Sequence, residues 1–276
     1  MDNLIVLLLI GFVVGTLGTL IGAGGGFILV PILIITNPQL PPDIITAISM
    51  AIIAANAISG SFAYSRSGRI DYKAGIVFAL FTIPGSILGV YTTAYIPKTA
   101  FHIIFGILLI LLAVYLFISK KQMMVSGSKV PEIKKPFKHH VITDREGISY
   151  AYTFNQYRGI IISVLVGYLS PLLGIGGGII HVPALVNWLN FPVFVATATS
   201  HFILAVMSTV SVVTHIVQGH YKDPFVLRMV FGIGAGAIAG AQLGAFISHK
   251  IRGKMIIRAL AICLAVVGVR ILLGNF

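Results

Sequence analysis

The chain has 276 residues, of which 57% are hydrophobic and only 9% charged, with a mean hydropathy of +1.01 and a formal net charge of +12. Apolar side chains exceed what one water-soluble core of this length can hide, which excludes an ordinary soluble domain and implies an integral membrane protein. The single cysteine, Cys263, excludes an internal disulfide or a cysteine metal cluster and reads as a small packing residue.

Apolar stretches run approximately over 4–35, 44–65, 74–96, 99–118, 159–189, 193–217, 225–248 and 255–273, and most reach the roughly 20 residues of a spanning helix. The first follows Asp2 with no Lys or Arg, unlike the positive start of a cleaved signal peptide, so it is expected to remain as the first helix. It contains the phrase LIGAGGGFILVP at 20–31. Glycine costs about 1 kcal/mol and proline about 3 kcal/mol in a helix relative to alanine, so the phrase predicts a break inside the membrane. The second stretch carries Thr46, Ser49, Asn56 and Ser59 at helical intervals. After the fourth, residues 119–157 are polar and rich in lysine, with two prolines and the pair His139 and His140, and predict a solvated linker rather than a metal-binding domain.

The fifth stretch repeats the glycine phrase as LLGIGGGIIHVP at 172–183. Gly22, Gly24, Gly25, Gly26 and Pro31 match Gly174, Gly176, Gly177, Gly178 and Pro183, each 152 residues on; Ser49, Gly68, Gly85 and Gly89 match Ser200, Gly219, Gly236 and Gly240, each 151 on. The expected architecture is therefore an all-α polytopic membrane protein made of two four-segment repeats, 1–118 and 158–276, with the first segment of each broken. The sixth stretch adds a polar stripe of Thr197, Ser200 or His201, Ser208, Ser211 and His215. Gly232, Gly236, Gly240 and Gly244 in the seventh read as a close-packing face.

A net charge of +12 raises nucleic acid as a partner, but the cations follow membrane topology, so the expected surroundings are a bilayer and no nucleic acid. With eight single crossings, the linker and both termini fall on the more positive, cytoplasmic side. Within the second half the bias reverses, because the loop around Lys250 is richer than that around Lys222. Breaks that turn the chain back would make the halves inverted copies. Parallel halves are the expectation adopted.

All seven carboxylates lie at predicted ends or in loops, and no Lys or Arg sits within the strongest spans. A cation carrier usually places a carboxylate on its route. An anion can instead be held by the unpaired N–H groups and positive dipole of a helix start, equivalent to roughly half a charge. Gly24, Gly25, Gly26, Gly176, Gly177 and Gly178 are accordingly the primary candidate binding positions, joined by Ser49, Asn56, Ser200 and His201. His201 and His181 are the candidates for carrying a coupled proton, His102 and His215 ranking lower. No metal, cofactor or ATP-binding loop is expected, since neither phrase continues into Lys-Ser or Lys-Thr.

These glycine phrases followed by proline, the four-plus-four organisation and the variable central loop resemble the TauE/SafE family of sulfite exporters, also called the toluene sulfonate uptake permease group, over nearly the whole chain outside 119–157. The resemblance implies a cytoplasmic-membrane carrier for sulfur-containing anions such as sulfite, sulfoacetate or sulfonates, and not an enzyme. The expected function is thus secondary transport of sulfite or an organosulfonate by alternating access. A carrier of a non-sulfur organic anion, a haem electron-transfer protein with His201 and His215 as ligands, and a hydrolase using Ser200 and His201 are the alternatives. The anion, direction and coupling ion stay open, as does a homo-oligomer.

Overall fold

The computed structural model describes residues 3–118, 137–248 and 253–273. Its order is α1 (Leu4–Ile21), α2 (Gly26–Thr36), α3 (Pro42–Ser67), α4 (Tyr72–Thr93), α5 (Lys98–Ile118), a hairpin of β1 (Phe137–Thr143) and β2 (Ser149–Asn155), α6 (Gln156–Leu173), α7 (Gly178–Asn187), α8 (Val193–Val217), α9 (Pro224–Ser248) and α10 (Gly253–Leu273). Seven of these helices, α1, α3, α4, α5, α6, α8 and α9, are long and apolar enough to cross a bilayer. The molecule is an all-α polytopic membrane protein with one added hairpin.

Both glycine phrases break their helices. Gly22 and Gly174 adopt left-handed φ of 80° and 66°, and their N–H groups close the last turns of α1 and α6 onto backbone carbonyls. A residue with a Cβ enters this region at a cost, which is why glycine ends both helices. Pro31 and Pro183 fall inside α2 and α7, which stay short at 11 and 10 residues.

Helix directions follow from which residues meet. Along the α1–α9 contact Gly232 lies against Leu7, Gly236 against Leu8 and Phe12, Gly240 against Phe12 and Thr16, and Gly244 against Thr16 and Leu20. Both numbers rise together, so the helices are parallel, and a methyl at Gly236 or Gly240 would overlap a backbone carbonyl. Glycine here permits backbone-to-backbone packing. The α4–α6 pair is parallel likewise, with Phe78 at Gly159, Thr82 at Gly167 and Thr93 Oγ1 donating to the Leu172 carbonyl at 3.0 Å. α3 also runs with α9: Ser59 bonds the Ile238 carbonyl, and Tyr64 joins the same apolar cluster as Ala245. α2 runs against α3, with Gly26 at Ile53 but Val30 beside Thr46. α7 runs against α8, with Gly177 at Met207 but Val182 beside Thr197. Each break therefore turns the chain back.

That return corrects the expectation of parallel halves. In each half the broken pair goes in and comes out, and three full helices follow, so an odd number of crossings separates its ends. The halves run in opposite senses, as the α3–α8 contact shows: Gly60 meets His201, whereas Ile53 and Leu204 meet at Gly24. Arg66, Arg69, Lys73, Lys138, Arg145 and Arg158 then share the hairpin end, and Lys98, Lys222, Arg228 and Arg270 the other. The last residues of α5 and α9, Ile118 and Ser248, lie at the hairpin end as well. The hairpin end carries the larger number of these cations and is the end that the positive-inside rule assigns to the cytoplasm. Leu4 and Leu273 lie at the opposite end, contrary to the expectation of cytoplasmic termini.

Of the expected linker 119–157, residues 119–136 lie outside the described residues. The remainder forms the antiparallel hairpin, with Val141 opposite Ala151. Its apolar face, Tyr150, Tyr152 and Phe154, is buried against Phe78, Leu189 and Phe191. Two residues of the α3–α4 turn, Arg69 and Asp71, seat it there. Arg69 holds Asp144 at 3.1 Å and Glu146 at 3.3 Å, while the Asp71 carboxylate takes His140 Nδ1 and the Tyr152 hydroxyl. Burial alone would raise the Asp71 pKa, but the bonds from His140, the Ala74 amide and Tyr152 outweigh it and hold the carboxyl below its usual range. His139 and His140 thus have separate partners, Thr153 and Asp71.

Candidate functional site

The two breaks meet at the centre of the molecule. A Cβ on Gly26 would strike the Gly174 carbonyl, and one on Gly178 the Gly22 carbonyl, so the start of α2 abuts the end of α6 and the start of α7 abuts the end of α1, backbone to backbone. The first bonds of α2 and α7 come from Ile28 and Ile179, leaving the amides of Gly25, Gly26 and Phe27, and of Gly176, Gly177 and Gly178, with no acceptor among the described residues. These are the free N–H groups at the positive end of a helix dipole. Five of the six proposed glycines, Gly25, Gly26, Gly176, Gly177 and Gly178, belong to this set. Gly24 differs, since its N–H closes onto the Gly18 carbonyl at 3.1 Å and its own carbonyl accepts Asn56 Nδ2 at 3.0 Å.

The hydroxyls have another role than expected. Ser49 Oγ donates to the Gly174 carbonyl at 2.6 Å and Ser200 Oγ to the Gly22 carbonyl at 3.3 Å. Each ties a long helix of one half to the break of the other and occupies a carbonyl that would otherwise repel an anion. Ser208 and Ser211 bond back to the carbonyls of Leu204 and Met207, and Ser59 bonds across to α9, so none of the three opens onto the breaks. Thr197 Oγ1, beside Gly22, and Ser170 Oγ, in the last turn of α6, are buried without a hydrogen-bond partner among the described residues.

Polarity is concentrated on the first break. Thr19 Oγ1 donates to Asn56 Oδ1 at 2.7 Å and lies 3.1 Å from His201 Nε2, while the Tyr64 hydroxyl donates to the Thr19 carbonyl at 2.8 Å. Tyr64 also sets its ring edgewise against His201. All four side chains are buried. The positions matching Asn56 and His201 in the other half are Met207 and Met50, which form an apolar cluster with Ile53, Ala57 and Leu204. His181, buried on α7, has Ser163 Oγ within reach at 3.4 Å. Thr19, Tyr64 and Ser170 were not among the sequence candidates. Thr19 sits in the last turns of α1, and its partners lie 37 and 182 residues away, so local spacing carries no signal for it.

Neither enzyme-like alternative finds its geometry. Ser200 and His201 face different partners, Gly22 and Thr19, and do not bond each other. His201 and His215 are fourteen residues apart on α8, roughly 21 Å of rise, too far to grip one metal from opposite sides. His215 instead meets His220, Nδ1 to Nδ1 at 2.8 Å.

The model of the TauE/SafE sulfite exporter family matches residues 7–271, nearly the whole chain. The protein belongs to that family. Among curated relatives it is 32% identical to YunE of Bacillus subtilis, a probable membrane transporter protein, over 98% of this chain and 97% of that one. It is 29% identical to a probable membrane transporter protein of Methanocaldococcus jannaschii, over 97% and 94% of the two chains, and 24% identical to YdhB of B. subtilis, over 86% and 88%. No solved structure matches the chain. The protein is therefore a multi-pass membrane transporter of the TauE/SafE family.

Proposed function

We propose that this TauE/SafE protein is a secondary transporter that moves a small sulfur oxyanion, sulfite or an organosulfonate, by alternating access around the paired breaks. The observation that carries this reading is the set of unpaired amides at Gly25 to Phe27 and Gly176 to Gly178, in two breaks whose residues 19–31 and 170–183 include no lysine, arginine, aspartate or glutamate. Two helix starts together offset about one negative charge.

The inverted halves supply the two ends at which the route opens. On the hairpin end Arg69 lies over the Phe194 ring, 5.4 Å to its centroid, while also paired with Asp144. At the matching place on the other end His220 pairs with Asp43 at 3.4 Å, and the Tyr221 hydroxyl holds the Ala47 carbonyl. Each tie links α3 or its turn to α8 or its turn, and the presence of both supports reading this arrangement as closed at both ends. Breaking one set while the other holds exposes the break to one side at a time. His201, bonded to Thr19 beside Gly22, is the group proposed to carry a coupled proton.

Flux into proteoliposomes tests the reading, with sulfite, sulfonates, carboxylates and chloride offered under imposed pH gradients. Saturable sulfite or sulfonate flux that is lost in Gly177→Leu, with membrane insertion retained, is the expected outcome. Flux of a carboxylate in preference to every sulfur anion would move the assignment to the non-sulfur alternative.

A further inference from the structure

Away from the breaks, on the hairpin end, lies a cavity of about 230 Å³ between α4, β1, β2 and the start of α6. Lys73, Lys138, His140 and Gln156 form its polar wall, and Phe78 and Phe154 part of its apolar floor. This volume falls below the roughly 300 Å³ at which pockets begin to hold drug-sized molecules, and suits a headgroup. The wall offers two ammonium groups and an amide. The nearby carboxylate does not compete, because Asp71 is already bonded to His140, Tyr152 and the Ala74 amide. Glu146, the other acid of this end, is turned to Arg69.

What surrounds the cavity identifies its occupant. Ile76 and Leu80 on α4 and Ile161 and Leu165 on α6 expose between 50% and 61% of their surface, an apolar strip that faces lipid in a membrane protein. Lys73 and Lys138 stand at the cytoplasmic end of that strip, where the bilayer surface begins. An occupant that satisfies the two lysines while its chains run along the strip has a phosphate head and acyl tails. Basic pockets between helices on the cytoplasmic side recognise acidic lipid headgroups by this chemistry.

We propose that this cavity binds the phosphodiester of an anionic phospholipid and thereby clamps the hairpin to α4 and α6. The bound phosphate bridges Lys138 on β1 to Lys73 on α4 and so joins the cytoplasmic hairpin to the helix that pairs with the second break. A free oxyanion would share the chemistry but not the tails. Both lysines are exposed and neither has an ion-pair partner among the described residues, so neutralising them leaves the fold its other supports.

The test uses the full chain, purified in neutral detergent and examined by native mass spectrometry and thermal unfolding with phosphatidylglycerol, phosphatidylcholine and inorganic phosphate as separate probes. Wild-type protein is expected to retain phosphatidylglycerol in preference to phosphatidylcholine and to unfold at a higher temperature with it. The double variant Lys73→Gln, Lys138→Gln should bind phosphatidylglycerol about 30-fold more weakly. Its unfolding temperature in phosphatidylcholine should be unchanged, and Lys73→Arg, Lys138→Arg should restore selectivity. Equal retention of the two lipids, or unaltered selectivity in the glutamine variant, would overturn the proposal. Displacement of phosphatidylglycerol by millimolar inorganic phosphate would also overturn it, by making the occupant a soluble oxyanion.

Discussion

Substituting alanine at Gly25 and at Gly177, which occupy matching places before α2 and α7, separates what the two breaks require of their backbone. Gly25 has a φ of 86°, and a Cβ there would stand 2.7 Å from the Val14 carbonyl oxygen and 2.6 Å from Val14 Cγ1. The left-handed conformation costs an L-residue roughly 1–2 kcal/mol. Overpacking against a backbone carbonyl adds about 1–3 kcal/mol, because the carbonyl belongs to a helix and cannot swing aside. Gly177 has a φ of −56°, and its Cβ would meet Val166 Cγ1 at 2.8 Å and Met207 Cε at 3.1 Å, the latter the end of a flexible chain. Alanine at such a cap costs a few tenths of a kcal/mol in place of glycine, with a similar amount for moving the neighbours. The expected losses are therefore about 2–5 kcal/mol for Gly25→Ala and about 1 kcal/mol for Gly177→Ala. Reversible unfolding in mixed micelles measures the difference, expected to be at least about fivefold in the equilibrium constant. Equal destabilisation of the two variants, or a greater loss in Gly177→Ala, would refute the geometry assigned to the breaks.

His201→Ala should change the pH dependence of transport more than His102→Ala does, because His201 alone of the two adjoins the first break; matching profiles would move proton coupling elsewhere. In a Cys263→Ser background, Tyr95→Cys, on the α4–α5 turn, should react with an impermeant maleimide in intact cells, and Glu146→Cys, on the hairpin turn, only after permeabilisation; the reverse pattern would invert the assigned orientation. Asp71 has a folded pKa below its ordinary value of about 4, so the stability it lends to hairpin docking is present above that value and lost as pH falls through the depressed one. Amide exchange in β1 and β2 should accordingly accelerate only under acid conditions in the wild type, and already be fast at neutral pH in Asp71→Asn; slow neutral exchange in that variant would show the carboxylate to be dispensable.

Much of this architecture was legible from residue types alone. Three consecutive glycines and a nearby proline oppose a continuous helix in any context, so both breaks and both short helices were predictable. Direction was not, because turning back and carrying on use the same glycines, and the charges decide only when the whole chain is counted with the right number of crossings. The hairpin was hidden by its composition: lysine, histidine and threonine in 137–143 read as a solvated loop. The alternation Tyr150, Tyr152, Phe154 is the period-two signal that marks it. At the site, spacing picked out Ser49, Asn56, Ser200 and His201, yet it gave no partners. Ser49 and Ser200 proved to hold the carbonyls of the opposite break, a pairing across 125 and 178 residues that no local pattern encodes.

The central claim is that backbone amides at the paired breaks hold the transported anion, and those nitrogens can be observed directly. Protein labelled with ¹⁵N-glycine in lipid, titrated with sulfite and followed by solid-state NMR, reports on each break. The account predicts saturable amide shifts at Gly25, Gly26, Gly176, Gly177 and Gly178, with little change at Gly236 and Gly240 in the α1–α9 contact. Saturable sulfite transport by the same preparation with those five resonances unmoved would contradict it.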